Sequence, residues 1–300
     1  YVHWQPLLLL SSAALIAAVL SAVHHAEVLA EKVGEPFGAL VLAIAVTVIE
    51  ASIILSLMLT GDQDVSALAR DTIFAAIMII LTGMTGLCLL IGGIKFREQE
   101  FGSQGVVSAL TVLVAISVLT LILPNYTVAV AGPYYSSSQL IFVAIITLVL
   151  YGSFLFVQNF RHRSHFVSAD DTEVHHEKPG RKETILSAIL LPVNLFAVVM
   201  LAETMAPELE KFIHSVGAPV SLSGIIIACV ILLPEGISAV KAASANQMQR
   251  SLNLLLGSAL ASISLTIPVV SLFSIYTGLP IALGIDTESM ILFLLSLFII

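Results

Sequence analysis

Charge is scarce in this chain of 300 residues. Asp, Glu, Lys and Arg together make up 11%, against roughly 25% in a soluble domain. Hydrophobic residues reach 58% and the mean hydropathy is +1.04, more apolar surface than a water-soluble core absorbs, so the lipid bilayer is read as the solvent. The 12 basic residues are too few and too scattered for a nucleic-acid partner, and the net charge of −8 comes mostly from loop acids. Cysteine is nearly absent. The only two, Cys88 and Cys229, lie in apolar segments and read as small core residues rather than a disulfide. No Asp lies deep in an apolar stretch, and the histidines sit at the ends of such stretches or in loops. That removes the paired aspartates, Ser-His pair or metal motif of an intramembrane hydrolase, so neither enzyme chemistry nor a cofactor is expected.

Long apolar runs are abundant. They lie at about 6–29, 36–59, 71–94, 104–123, 139–160, 184–205, 220–243, 251–275 and 279–300, each near the roughly 20 residues that cross a bilayer as a helix. Nine spans result, and the fold class is an all-α polytopic membrane protein. The first run is too long, and lacks the basic lead, for a cleavable signal peptide. A polar stretch without periodicity, residues 161–183, separates five spans from four. Alternating sides puts ten basic residues, from Lys32 to Arg250, on one face and only Arg70 and Lys211 on the other. By the positive-inside rule the 161–183 loop is cytoplasmic and residue 1 begins outside.

The halves echo each other. Glu50 is followed by Arg70 and, twelve residues on, by Thr82; Glu235 is followed by Arg250 and, twelve residues on, by Ser262. Five spans per half is odd, so a second copy inserts upside down. The expected domains are a first repeat at 1–160, the loop at 161–183, and a second, inverted repeat at 184–300 with a tenth span beyond Ile300.

Glu50 and Glu235 are the only carboxylates near the middle of apolar helices. A charge there is costly and marks an ion path or proton relay, the alternative being a protonated acid bonded to a neighbouring helix. Removal from water favours the protonated form of a carboxylic acid, a hard cation favours the ionised form, and two acids sharing a site titrate together. Proton and cation then compete for the same oxygens, and in a site open alternately to each side that competition is antiport. Pro234 frees the carbonyl of Val230, which either serves as a ligand or marks a packing kink. Thr47 and Ser238 lie one turn from their acids, as ligands, supports for ligands, or hydroxyls bonded back to the backbone. Ser251, Ser258, Ser262 and Thr266, spaced by seven, four and four, form one polar stripe, with Asn253 at its cytoplasmic end. The stripe suits a cation path or a helix contact. His24 and His25, with Glu27, Glu31 and Glu35, form a gate or an interfacial anchor. His175 and His176 are the regulatory candidates of the loop, whose spacing matches no compact zinc motif.

Two segments carry a family resemblance, HHAEVLAEKVGEPFGALVLAIAVTVIEASII and LLPEGISAVKAASANQMQRSLNLLLGSALASISLTIPVV. They resemble the repeat signatures of ChaA-type calcium/proton antiporters, in the cation/proton exchanger branch of the calcium–cation antiporter superfamily. The resemblance implies ten core helices in two inverted repeats, with Glu50 and Glu235 binding the cation. It also implies a bacterial inner membrane and, as the leading expectation, exchange of cytoplasmic Ca²⁺, with Na⁺ or K⁺ as further cargoes, for external protons; the alternative is a monovalent Na⁺/H⁺ or K⁺/H⁺ antiporter for which calcium is not the physiological cargo. Plant and fungal relatives tend to carry Gly-Asn three to four residues before each acid, where this chain has Val46-Thr47 and Ile231-Leu232. Calcium takes six to eight oxygens, and the missing amides leave the acids, hydroxyls, carbonyls and water to supply them. A channel or a scaffold remains as the alternative class. A channel needs no counter-gradient, and a scaffold has no use for midplane acids.

Overall fold

The computed structural model describes residues 5–34, 37–60, 66–161, 179–215, 217 and 221–300. Eleven α-helices follow one another: α1 (Gln5–Val33), α2 (Phe37–Thr60), α3 (Leu68–Met78), α4 (Thr85–Phe96), α5 (Ser103–Ser117), α6 (Ser137–Phe156), α7 (Arg181–Ser215), α8 (Ser221–Ile231), α9 (Leu233–Ser244), α10 (Met248–Thr277) and α11 (Thr287–Ile299). A π-turn, Ile79–Met84, joins α3 to α4, and two more extend α5 (Val118–Ile122) and α6 (Val157–Arg161). Among the described residues the only extended pairing is one bridge, Tyr134 to Ala282. The helix starts are written locally. Ser136 and Gln139 form a reciprocal capping box at α6, Asp286 accepts from the Ser289 amide at α11, and Gly278 ends α10 at φ 75°.

Six helical stretches among the described residues are long and apolar enough to cross a membrane: Leu10–Val33, Leu68–Phe96, Ser103–Tyr126, Ser137–Asn159, Arg181–Ala202 and Met248–Thr277. Ala43–Leu59 and Thr287–Ile299 are shorter apolar helices. Exposed positions of α6 are as apolar as buried ones: Ile141, Phe142, Ile145 and Val149 all face outward. That pattern belongs to a helix bundle solvated by lipid. Two of the nine expected spans need correction. Residues 220–243 are two short helices broken at Leu232, because Pro234 has no N–H and its ring displaces the preceding turn. Residues 279–300 begin with a non-helical stretch, and their helix starts only at Thr287.

Packing divides the chain into two units, Tyr1–Thr72 with His176–Ile231, and Ile73–His175 with Leu232–Ile300. Each draws on both halves of the sequence. In the first, α1 packs along α2 and α7 around Val19, Ala22 and Val23, with Ile49, Ile53 and Leu57, Val198 and Ala202, and Ile231 of α8. Two polar ties cross it: His25 Nδ1 to Ser187 Oγ at 3.0 Å, and Lys32 Nζ donating to the Pro179 carbonyl at 3.1 Å.

In the second unit α10 is buried along most of its length, against α5, α6, α9 and α4. Its least regular part is the stretch after Gly278. Ile281, Ala282, Leu283 and Ile285 are buried there without forming a helix. Backbone at this depth must find partners inside the protein. The Leu283 and Gly284 amides donate to the Pro133 carbonyl, the Ile285 amide donates to Leu121, and Asn125 Nδ2 donates to the Ile285 carbonyl at 2.6 Å. Tyr135 donates its hydroxyl to the Leu119 carbonyl at 2.6 Å, and burial pushes the phenol up to about 12.

The contacts within each unit join connections that alternating spans assign to one side. Lys32 with Pro179, and Lys95 with Ser244, pair connections of one side; Tyr134 with Ala282, and Asn125 with Ile285, pair those of the other.

Gly284 is fitted to this arrangement, since a Cβ added to it would overlap the Asn125 amide and come within 2.9 Å of Pro133 Cβ. Gly284→Ala is expected to cost roughly 1–3 kcal/mol, the usual cost of overpacking a closed site. Thermal unfolding of the detergent-solubilised protein checks this, and an unchanged midpoint would mean that the segment is not packed as described.

Candidate functional site

Glu50 stands in the middle of α2, on a helix whose interior face also presents Ile49 and Ile53 to the first unit's core. Only 2% of its surface is exposed. No basic residue lies within a turn of it on α2, where its helical neighbours are almost all apolar. Thr47 is buried on the same face, one turn earlier, but its hydroxyl donates to the Ala43 carbonyl at 2.8 Å. Of the readings open for Thr47, the backbone bond is the one this structure displays.

Glu235 belongs to the second unit and is 8% exposed. It lies in the first turn of α9, where Pro234 occupies one of the first two helical positions. An acid in the first turn is favoured by the partial positive charge of the helix start, so the break at Leu232 creates for Glu235 an electrostatic setting that an unbroken helix lacks. Val230, whose carbonyl faces no N–H from Pro234, lies upstream of the break and packs half-buried against the first unit's core. Glu235 shares its buried face with Ala239, Ala242 and Ala243, while Ser238 is half-buried. Beside the acid, Gly236 lets Met84 approach: a Cβ there would stand 2.8 Å from Met84 Cε. The chain's first π-turn therefore ends against the helix that carries Glu235.

The stripe on α10 is real but uneven in depth. Ser251, Ser262 and Thr266 are buried and Ser258 is half-buried. Asn253 accepts at Oδ1 from Gln249 Nε2 at 2.9 Å, which makes it a neighbour of the helix start. Three further buried hydroxyls, Ser264, Ser271 and Ser274, lie off that stripe, and Ser274 donates to the Leu279 carbonyl at 2.6 Å. Thr82, the first-half counterpart of Ser262, is exposed within the π-turn and donates to the Met78 carbonyl at 2.6 Å. The turn itself closes on Thr85, whose amide and hydroxyl both reach the Ile80 carbonyl, the hydroxyl at 2.8 Å. π-turns recur at functional sites, and this one adjoins α9.

His25 is tied to Ser187, so α1 and α7 share it; His24 stacks beside it at 5.4 Å. Glu35, His175 and His176 lie outside the described residues. Among the described residues no three His, Cys, Asp or Glu side chains gather closely enough to hold a metal ion. An ion at Glu50 or Glu235 would draw on hydroxyls, carbonyls and water besides its acid. Sequence reasoning missed Met84, Gly236 and the residues gripping the far end of α9, Lys95 and Gln99. The glycine after Glu235 was the one signal available.

Comparison with known proteins supplies the wider setting. The sodium/calcium exchanger protein family matches residues 4–160 and 186–300. The putative ionic transporter y4hA of Sinorhizobium fredii is 45% identical over 98% of this chain and 80% of its own length. The sodium-potassium/proton antiporter ChaA of Escherichia coli is 38% identical over 96% of this chain and 79% of its own. The solved H⁺/Ca²⁺ exchanger CAX shares the fold, with a TM-score of 0.73 at 17% identity over 96% of this chain and 72% of that one.

The Met84–Gly236 contact has a measurable consequence. Gly236→Ala is expected to cost about 1–2 kcal/mol, because a flexible thioether end must retreat rather than backbone. In the Gly236→Ala/Met84→Ala double variant the losses should fall short of additive, read from thermal unfolding of each purified protein. Simple additivity would separate the two residues.

Proposed function

Because this chain belongs to the sodium/calcium exchanger protein family, a multi-pass membrane family, we propose that it is a cation/proton antiporter whose exchanged ions compete for the carboxylates of Glu50 and Glu235. Family membership sets it among membrane transporters and not among enzymes. One observation carries the assignment of the site: the two acids expected to be deep are 2% and 8% exposed, Glu50 on an apolar helix and Glu235 on the buried face of α9. Dry acids at span depth are retained for ion or proton work, since an apolar side chain is otherwise the cheaper occupant.

The chemistry needs few parts. A protonated carboxylic acid is neutral and tolerates the apolar surroundings. A cation entering from one side displaces the proton and restores the charge balance. When the site next opens to the other side, where protons are in excess, the acid takes a proton and the cation leaves. Each carboxylate offsets one positive charge, whether of a proton or of the cargo. Pro234 contributes by ending the upstream helix, so that the start of α9 faces Glu235 and the Val230 carbonyl is relieved of its i+4 partner.

Monovalent cargo, Na⁺ or K⁺, is the reading favoured here. The E. coli relative that is 38% identical is a sodium-potassium/proton antiporter. Calcium is the second reading, supported by the family's description as sodium/calcium exchangers and by a Ca²⁺/H⁺ antiporter from Aphanothece halophytica that is 23% identical over 100% of this chain. The remaining parts of the proposal are the inverted repeats at 1–160 and 184–300, the bacterial inner membrane, and a cytoplasmic 161–183 loop.

Everted vesicles carrying the protein, with the pH gradient followed by a dye, rank the cargoes. Na⁺ or K⁺ should collapse the gradient at lower concentration than Ca²⁺; collapse by Ca²⁺ alone reverses the order. Glu50→Gln and Glu235→Gln should each remove exchange entirely, while Ser262→Ala should weaken it only partly. Both Glu→Gln proteins should insert and melt no lower than wild type, because a neutral isostere removes a buried charge. Wild-type exchange by either of them ends the site assignment.

A further inference from the structure

We propose that Lys95 and Gln99 form a latch on the end of α9, and that they are positioning residues which hold the Glu235 carboxylate in register for exchange; this rests on the antiport reading of that acid. The need for a latch follows from the helix itself. α9 is only 12 residues long and is cut from the preceding helix at Leu232. A helix that short has little stability of its own, and Pro234 has no amide to donate back toward the preceding helix, although the Gly236 amide still reaches the Leu232 carbonyl at 2.9 Å. Its axial position must be set from outside. Beside Glu235, Gly236 fits closely against Met84, and that partner is a flexible thioether.

The other end is gripped firmly. Gln99 Nε2 donates to the Ala243 carbonyl at 2.9 Å and to Asn246 Oδ1 at 3.1 Å. Lys95 Nζ donates to the Ser244 carbonyl at 2.7 Å. These are last-turn carbonyls, which lack intrahelical donors and carry the helix's partial negative charge, so an ammonium group is well placed there. Gln99 is seated by design of its neighbour: a Cβ on Gly92 would overlap its Oε1, so only glycine leaves room for the amide. Gln249 extends the network to the start of α10, accepting from the Gly102 amide and donating to Asn253.

Backbone conformation points to the same junction independently. Among the described residues, two non-glycine residues have positive φ, Arg97 at 67° and Asn246 at 62°. One lies between Lys95 and Gln99, and the other accepts from Gln99. Such conformations are unfavourable and persist where surrounding structure enforces them. From Ala243 to Glu235 is eight residues, or about 12 Å along one buried face. Freeing the far end lets α9 slide or roll, and the acid moves with it.

The test joins amide hydrogen exchange of the 240–250 segment, in the purified full-length protein, with cation-dependent exchange in everted vesicles. Gln99→Ala, Gly92→Ala and Lys95→Met should each speed amide exchange there. Each should raise the half-saturating cation concentration about three- to tenfold with the maximal rate retained, the scale of one lost positioning hydrogen bond. Lys95→Arg keeps a donor and should behave as wild type in both. Faster amide exchange with an unchanged half-saturation overturns the positioning role, and unchanged amide exchange overturns the latch. Glu235→Gln, run alongside, separates the two failures: if it transports like wild type, the antiport reading of the acid fails and the positioning role with it, whatever the amides show.

Discussion

In hydrocarbon a polar group has no water to fall back on, and most of what is distinctive in this protein answers that constraint. The backbone answers it by being helical nearly throughout. The threonines of α2 and of the first π-turn answer it by returning their hydroxyls to their own helices. A buried stretch that is not helical, after Gly278, borrows its partners from Pro133, Leu121 and Asn125. Glu50 and Glu235 answer it differently. They are buried acids, and in the exchange proposed above a proton or a cargo ion neutralises them in turn.

The same constraint explains why α9 is built as it is. A continuous helix through residues 220–243 would have satisfied its amides and carbonyls, and would have set Glu235 in a featureless mid-helix position. Breaking it at Leu232 leaves unpaired groups that must be managed at both ends of the new helix. At its start the acid benefits from the exposed amides. At its end Lys95 and Gln99 take up the carbonyls. The break and the grip belong together, since a short helix serves as a precise mount only when its ends are fixed.

Much of this was legible in the sequence, and the residues show why. Apolar length gave the helices, and the scarcity of acids within them picked out Glu50 and Glu235, because depth in an apolar run is a one-dimensional property. Pro234 announced a disturbance, though not that it would separate two helices. The stretch from Leu279 to Asp286 was taken as part of a span because its residues are apolar. Its conformation is set by partners more than 140 residues away, which no local pattern encodes. Thr82 repeats the spacing of Ser262 from its preceding arginine, which made it a candidate ligand or support, yet it is exposed within a π-turn that changes the helical register, a shift no spacing in the sequence encodes. Lys95 and Gln99 counted only as loop charge and loop polarity, for their meaning lies in carbonyls reached across 144 to 149 residues.

The stretch between α10 and α11 is secured through its main chain, by carbonyls of Pro133 and Leu121 that any amide could address. Its side chains, Gly284 apart, are therefore uncommitted to the bonds that keep it in place. Burial still constrains Ile281, Ala282, Leu283 and Ile285, so the latitude falls to the exposed flanks, Leu279 and Pro280 before them. There an engineer could change the surface of this end of the second unit without touching the bonds that hold it, much as an antibody varies its loops on a constant scaffold.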